Sequence, residues 1–269
     1  MSRKKSALVI LSGGQDSTTC LYWAKNQPYK KIHAITFEYA QRHIVEVDAA
    51  RNIAAHAQVD SHEIVNVSHV LKSTSPLISN AKLSKYDDKK PAETVEKTFV
   101  PMRNQLFLTV AFNRAQMLNC ANIILGVCEQ DYGGYPDCRR YFINAIREAS
   151  IISLGARHDA FEIHTPLMYL TKAEAVRMAV QLRGCYYALG FSHTAYDGKY
   201  PPNGNDHASE LRRLGFLRAG IPDPLVLRAV TDGAMGLPDT PNYNKARQLL
   251  SRGETSYSSL CDEILKGIK

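Results

Sequence analysis

The sequence predicts an α/β protein, a parallel five-stranded sheet with helices on both faces, followed by a small helical C-terminal region. Three observations carry that expectation. Ala7-Leu8-Val9-Ile10-Leu11 is an unbroken apolar run, as expected of a strand buried on both faces. Gly13-Gly14 and then Asp16-Ser17-Thr18-Thr19 follow at once, so the strand turns tightly into a helix. Strand-like and helix-like segments then alternate up to about residue 170, the order of parallel βαβ units.

The first strand is expected at 7–11 and the first helix at 16–25. A second strand at 31–37 carries Ile32, Ala34, Ile35 and Phe37. A helix at 45–56 spaces Val47, Ala50, Ile53 and Ala54 on one face, and a third strand covers 63–67. The longer helix at 102–118 lines up Leu106, Phe107, Val110 and Ala111. A fourth strand at 121–127, a helix at 139–152 and a short fifth strand at 161–164 complete the alternation. Thr171 reads as an N-cap, with Glu174 as its capping-box partner.

Residues 68–97 break the rhythm. They are polar, carry Asp87-Asp88-Lys89-Lys90-Pro91, and read as a lid-like insertion. From Cys185 the composition changes, with Gly, Pro, Asn and His clustered through Gly204. Helices are expected beyond it near 210–217, 243–252 and 257–265. The chain therefore divides into an α/β domain at 1–184 and an irregular, helical region at 185–269 packed on it.

The bulk numbers exclude several classes. A chain of 269 residues with 45% hydrophobic and 22% charged residues buries a real core as a soluble protein. No run of about 18 apolar residues exists, so no membrane span is expected. Only five apolar residues follow Arg3-Lys4-Lys5, too few for a signal peptide. Six scattered cysteines without a Cys-x-x-Cys point to reduced thiols in a cytoplasm. The net charge of +7 is mild, and nucleic acid is not the expected partner.

The chemistry starts at Ser12-Gly13-Gly14-Gln15-Asp16-Ser17. Two glycines after a strand bring backbone N–H groups close to an anion and deliver it to a helix N-terminus. This is a phosphate site, and neither the Walker pattern nor Gly-x-Gly-x-x-Gly is present. Ligands of a parallel sheet bind beyond the C-terminal ends of its strands, and further polar segments fall there. They are Glu38–His43, the stretch 99–104, the stretch 128–139, and 165–174. Arg42, Arg103 and Arg139 can pair bidentately with carboxylate or phosphate. Asp131 or Asp137 can accept from a guanine-like edge, and Tyr132 or Tyr135 can stack on a ring. Lys172, at a helix start, supplies a point charge to phosphate.

Ser-Gly-Gly-x-Asp-Ser resembles the loop of the N-type ATP pyrophosphatases, the PP-loop enzymes, whose fold is Rossmann-like. The wider set resembles the QueC family, the 7-cyano-7-deazaguanine synthases, from about Ala7 to Pro224. The matching segments run from Leu11 to Cys20, from Phe37 to His43, from Phe99 to Asn104, and from Tyr132 to Arg139. His164–Leu167 and Thr171–Glu174 complete them.

That resemblance implies ATP and Mg²⁺, and a 7-deazaguanine substrate whose carboxylate is adenylated and converted to an amide, then to a nitrile. It implies that Leu11, Ser12, Gly13, Gly14, Gln15, Asp16, Ser17 and Thr18 hold the nucleotide. Asp16, Ser17, Lys172 and Arg139 would carry the catalysis. Gln41, Arg42, Arg103, Asn104, Asp131, Tyr135 and Asp137 would orient the deazapurine. A homodimer is the expected assembly.

Departures from the family pattern matter too. The places of its four zinc thiolates are taken by Ala195, Asn203, Asp206 and Ser209, so no structural zinc and no metal site among the residues are expected. Met102 stands where the family has glycine, and Ala40 likewise. These departures resemble the QueC-like paralogs of antiphage systems, which join a deazaguanine to another amine, including a protein N-terminus. The remaining alternatives are the ordinary nitrile synthase, a tRNA-modifying PP-loop enzyme and a non-catalytic sensor of a deazapurine or nucleotide.

Overall fold

The structure is a computed structural model that describes residues 5–39, 45–73, 75, 99–129, 135–193, 199–201 and 206–268. The expected parallel sheet is present. Its strands are β1 (Ser6–Ile10), β2 (Lys31–Glu38), β3 (Ser61–Asn66), β4 (Asn122–Ile124) and β5 (Glu162–His164), in the order β3-β2-β1-β4-β5. Every pairing is parallel. The helices between them are α1 (Gln15–Lys25), α2 (Val45–Ala57), α3 (Arg103–Met117) and α4 (Arg140–Ser153). After β5 come α5 (Lys172–Gln181), α6 (Cys185–Leu189), α7 (His207–Ala219), α8 (Pro224–Thr231), α9 (Asn244–Ser251) and α10 (Tyr257–Lys266).

The apolar run works as a strand buried on both faces. All five β1 residues are buried. Ala7, Val9 and Leu11 join a core with Leu21, Ile53 and Val176, while Leu8 and Ile10 join one with Leu108, Phe112 and Ile163. Side chains alternate across a strand, so β1 feeds two separate cores, one under each helical layer. The first core continues into Tyr186, Phe216, Leu227 and Ile264. The C-terminal helices thus share one apolar cluster with β1 and α1.

Several expected bounds shift for physical reasons. β3 begins at Ser61, two residues early, because its polar start is satisfied sideways. Ser61 Oγ lies 2.7 Å from His33 Nδ1, and His62 Nε2 lies 2.7 Å from Thr36 Oγ1. β4 ends at Ile124 although Leu125 and Val127 are apolar and buried. Beyond Ile124 the chain bends to the loop after β1. A Cβ on Gly126 would stand 3.0 Å from Ser17 N. Two helices lie outside the expected set. α6 lies in a stretch that reads as irregular, yet Cys185, Tyr186, Ala188 and Leu189 are buried. α8 carries its signals openly, an Asp223 cap donated to by Leu225 N at 2.9 Å and Pro224 at its first position.

Met102 has φ +65° and is exposed. This is the left-handed region, which L side chains enter at a cost of about 1–2 kcal/mol. Met102→Gly is therefore expected to raise stability by about 0.5–1 kcal/mol, read as a higher chemical-denaturation midpoint with an unchanged slope.

Candidate active site

β1 is flanked by β2 on one side and β4 on the other, and the order in which strands are added reverses there, β2 and β3 to one side and β4 and β5 to the other. This is the switch point of a doubly wound sheet, where a crevice opens beyond the strand ends. Ser12–Ser17 occupies it. Gly13 has φ +84°, and a Cβ there would stand 2.3 Å from Glu46 O and 2.8 Å from Ala50 N, so only glycine fits against α2.

The loop is internally tied. Ser12 N donates to Ser17 Oγ at 3.1 Å, Ser17 Oγ donates to Gly14 O at 3.2 Å, and Thr18 Oγ1 donates to Gly14 O at 2.7 Å. Thr36 Oγ1 anchors the strand end through Leu11 O at 2.5 Å. Among the described residues no side chain caps α1 at Gly14. The first-turn N–H groups and the helix dipole therefore face the crevice.

Asp16 and Lys172, 156 residues apart, meet here. Lys172 Nζ donates to Asp16 Oδ2 at 2.6 Å. Lys172 is the first residue of α5, whose start is fixed by the expected capping box. Glu174 N donates to Thr171 Oγ1 at 3.3 Å, and Thr171 N donates to Glu174 Oε2 at 2.8 Å. Asp16 Oδ1 is buried and has no hydrogen-bond partner among the described residues. A buried carboxylate oxygen left open costs free energy unless something occupies it. The residues present thus fit a divalent cation at that atom.

A second cluster forms beside the loop. Arg103 opens α3, with its guanidinium 5.7 Å from the Tyr39 ring. Asn104 N donates to Asp137 Oδ2 at 3.3 Å, and Asn104 Nδ2 donates to Asp137 O at 3.3 Å and to Cys138 Sγ at 3.5 Å. Phe99 and Tyr135 rings lie 5.4 Å apart, and Tyr39 meets Phe107 edge-on at 5.5 Å. Arg103, Asn104, Tyr135 and Asp137 are thus brought together as a cationic and aromatic wall. Asp137 is spent partly on the start of α3. Burial pushes its carboxyl up, with Arg103 pulling the other way. Burial also pushes Tyr39 up to about 12. Arg103 is held above its ordinary value. Burial alone would lower it, but Tyr39, Tyr135, Asp137 and Cys138 outweigh that.

Arg139 is exposed at the N-terminal end of α4. Its neighbour Arg140 is tied in instead. Arg140 N donates to Glu129 Oε1 at 2.5 Å, and Arg140 Nη2 donates to Thr165 Oγ1. Gln41, Arg42 and Asp131 lie outside the described residues, as does most of the insertion at 68–97. Two places that the resemblance assigns to thiolates are described. Ser209 N donates to Asp206 Oδ1 at 3.0 Å and Ser209 Oγ to Asp206 Oδ2 at 2.8 Å, so the pair caps α7. Among the described residues no group of three metal-ligating side chains assembles, no disulfide joins any of the six cysteines, and no helix is long and apolar enough to cross a membrane.

Glu46 was not singled out by its sequence context. It sits on the first turn of α2, with its backbone oxygen against Gly13 and its carboxyl electrostatically coupled to Tyr39 and Arg103. It joins the loop to the Arg103 cluster. Only the sheet order brings it there. Burial pushes it up to about 7, against the pull of Arg103, from an ordinary value of 4.5. The folded protein then holds a proton that the unfolded chain has lost between those values. The stability contributed by this group is full below about pH 4.5 and falls as pH rises through about 7. Glu46→Gln is expected to remove that decline, so the variant gains stability relative to the parent between pH 5 and 8 in melts taken across the range.

Fold and loop together define a class. This is a doubly wound parallel α/β protein with a Ser-Gly-Gly-x-Asp-Ser turn at its switch point, the arrangement of the PP-loop proteins. The family model described as queuosine biosynthesis protein QueC matches residues 6–220, and the chain belongs to that family. A 7-cyano-7-deazaguanine synthase of Gloeobacter violaceus is 47% identical over 225 residues, covering 82% of this chain and 95% of the relative. Another, from Chromobacterium violaceum, is 43% identical over 234 residues, covering 87% of this chain and 97% of its own. Among solved structures, the NH3-dependent NAD synthetase of Campylobacter jejuni aligns over 99% of this chain and 86% of that one. Its TM-score is 0.41 and its identity 14%, a likeness too slight to add to the sequence match.

Proposed function

We propose that this chain uses ATP to activate the carboxyl group of 7-carboxy-7-deazaguanine as an adenylate, and that an amine then displaces AMP to give an amide. The observation that carries this reading is the Lys172–Asp16 pair, closed at 2.6 Å over the Ser12–Ser17 turn. A cation, a carboxylate and uncapped helix N–H groups at one strand end suit a polyphosphate.

In this reading Gly13, Gly14 and the start of α1 cradle the phosphates, and Ser12 and Ser17 offer hydroxyls. Lys172 offsets the charge that builds on the leaving pyrophosphate, and Arg139, exposed at the start of α4, is the second cation proposed for it. Asp16 would hold Mg²⁺ through Oδ1, and the ion would neutralise phosphate oxygens when bound. Arg103 pairs with the substrate carboxylate, and Tyr135 offers a ring face. No protein nucleophile is required, because positioning and fixed charge supply the acceleration.

The relatives' name supports continuation to the nitrile. A second reading, in which the product stays an amide to ammonia or another amine, is favoured by Met102 beside Arg103 and by the Asp206–Ser209 cap in place of two thiolates. Mass spectrometry of a reaction with ATP, Mg²⁺, ammonia and 7-carboxy-7-deazaguanine separates these. Nitrile and amide differ by one water. Absence of AMP, pyrophosphate and any product sinks both readings.

A further inference from the structure

We propose that the helices α8 and α10, which lie beyond the stretch matched by the family model, hold the nucleotide turn in its working geometry, α8 through the Asp223–Arg212 pair and Arg228, and α10 through Tyr257. The inference rests on the nucleotide reading above only for the name of what the turn binds. The connection runs through the segment after α6. His193 N donates to Gly13 O at 2.9 Å, and His193 O lies 3.6 Å from where a Cβ on Gly14 would sit. This segment is the wall against which the turn rests.

Arg212 holds that wall from behind. Its Nη1 donates to Ser192 Oγ at 2.7 Å and its Nη2 to Leu189 O at 3.1 Å. Asp223 completes the guanidinium, accepting from Nε at 2.6 Å and from Nη2 at 2.8 Å. The two side chains are only 3% and 6% exposed. A buried ion pair is a weak source of net stability but fixes orientation strongly. Asp223 is itself placed by the C-terminal helices. It caps α8, and its own N–H donates to Tyr243 Oη at 3.3 Å.

The same helices reach the wall at two more points. Tyr257 Oη, on α10, donates to Tyr187 O at 2.6 Å, and Arg228 Nη1, on α8, donates to Gly190 O at 2.9 Å. Residues 221–268 therefore grip 187–193 at several places, and 193 carries the geometry to Gly13. A shift of the wall shifts the carbonyl of Gly13, and with it the N–H groups that face the phosphates. Arg212 and Asp223 are positioning residues in this account.

The test uses the full chain with Asp223→Asn and, separately, Tyr257→Phe. Two quantities are read. One is the affinity for a non-hydrolysable ATP analogue, and the other is amide hydrogen exchange at His193 and across 12–17. Both variants are expected to exchange faster at these amides and to bind the analogue about tenfold more weakly, while affinity for the carboxylate substrate changes little. Cooperatively folded variants with unchanged His193 exchange and unchanged analogue affinity overturn the proposal. Should Asp223→Asn not fold, Tyr257→Phe decides by the same readings. A parent protein that binds no nucleotide removes the functional reading, yet His193 exchange still judges the coupling.

Discussion

Lys172→Ala is expected to slow pyrophosphate release by about 100- to 1,000-fold without unfolding the protein. The side chain is directed at the turn from α5, and the capping box that fixes the start of α5 belongs to Thr171 and Glu174, not to Lys172. The helix start therefore survives the substitution. What is lost is the cation bound to Asp16, at a site where both partners are less than a quarter exposed. Fixed charge is worth most where water is largely excluded. Asp16→Asn is expected to give a comparable loss, since it removes the negative charge on the atom left open for a cation. Lys172→Arg is a poor rescue, because a planar fork does not replace a compact ammonium at 2.6 Å from one carboxylate oxygen. Rapid-quench measurement of pyrophosphate, paired with a melt of each variant, checks this. A folded Lys172→Ala protein that releases pyrophosphate at the parent rate contradicts the assigned role.

Gly13→Ala is expected to abolish nucleotide binding and to destabilise the protein by about 2–4 kcal/mol, from overpacking and a disfavoured backbone region together. The added methyl would stand 2.3 Å from the backbone oxygen of Glu46, and backbone cannot rotate out of the way. Either α2 retreats or the turn opens, and both disturb the N–H groups. Gly14→Ala serves as the control. Its Cβ would meet Ser12 Oγ at 3.4 Å and His193 O at 3.6 Å, ordinary contacts, and its φ of −81° suits any residue. That variant should fold normally, with any loss confined to affinity. Calorimetry with an ATP analogue, alongside denaturation of both variants, separates the two. Equal stability of Gly13→Ala and Gly14→Ala would show that the turn does not press on α2.

Much of the site was legible in the sequence because its signals are local. The turn is a contiguous string after an apolar strand, and the Thr171–Glu174 box marks the start of α5 from four residues. Arg103, Asn104, Tyr135 and Asp137 were legible as polar residues following strands or opening helices, and the parallel sheet collects such positions along one edge. Glu46 was not, since nothing in Val45-Glu46-Val47 distinguishes a solvated helix residue from one pressed between a turn and an arginine. Only the order β3-β2-β1-β4-β5 places α2 against Gly13. α6 was hidden for a related reason. Its five residues are too few to show a helical period, and burial against α1 rather than propensity keeps them helical. The Arg212–Asp223 pair is likewise a tertiary fact, joining two helices whose sequences show only ordinary charges.

The proposed reaction is defined by which bond of ATP breaks and which oxygen attacks it. The direct measurement supplies 7-carboxy-7-deazaguanine labelled with ¹⁸O in its carboxyl group, together with ATP, Mg²⁺ and ammonia, and weighs the nucleotide product. Attack by the carboxylate on the α-phosphorus leaves one labelled oxygen in AMP and none in pyrophosphate. Unlabelled AMP, or ADP with label in inorganic phosphate, would contradict it.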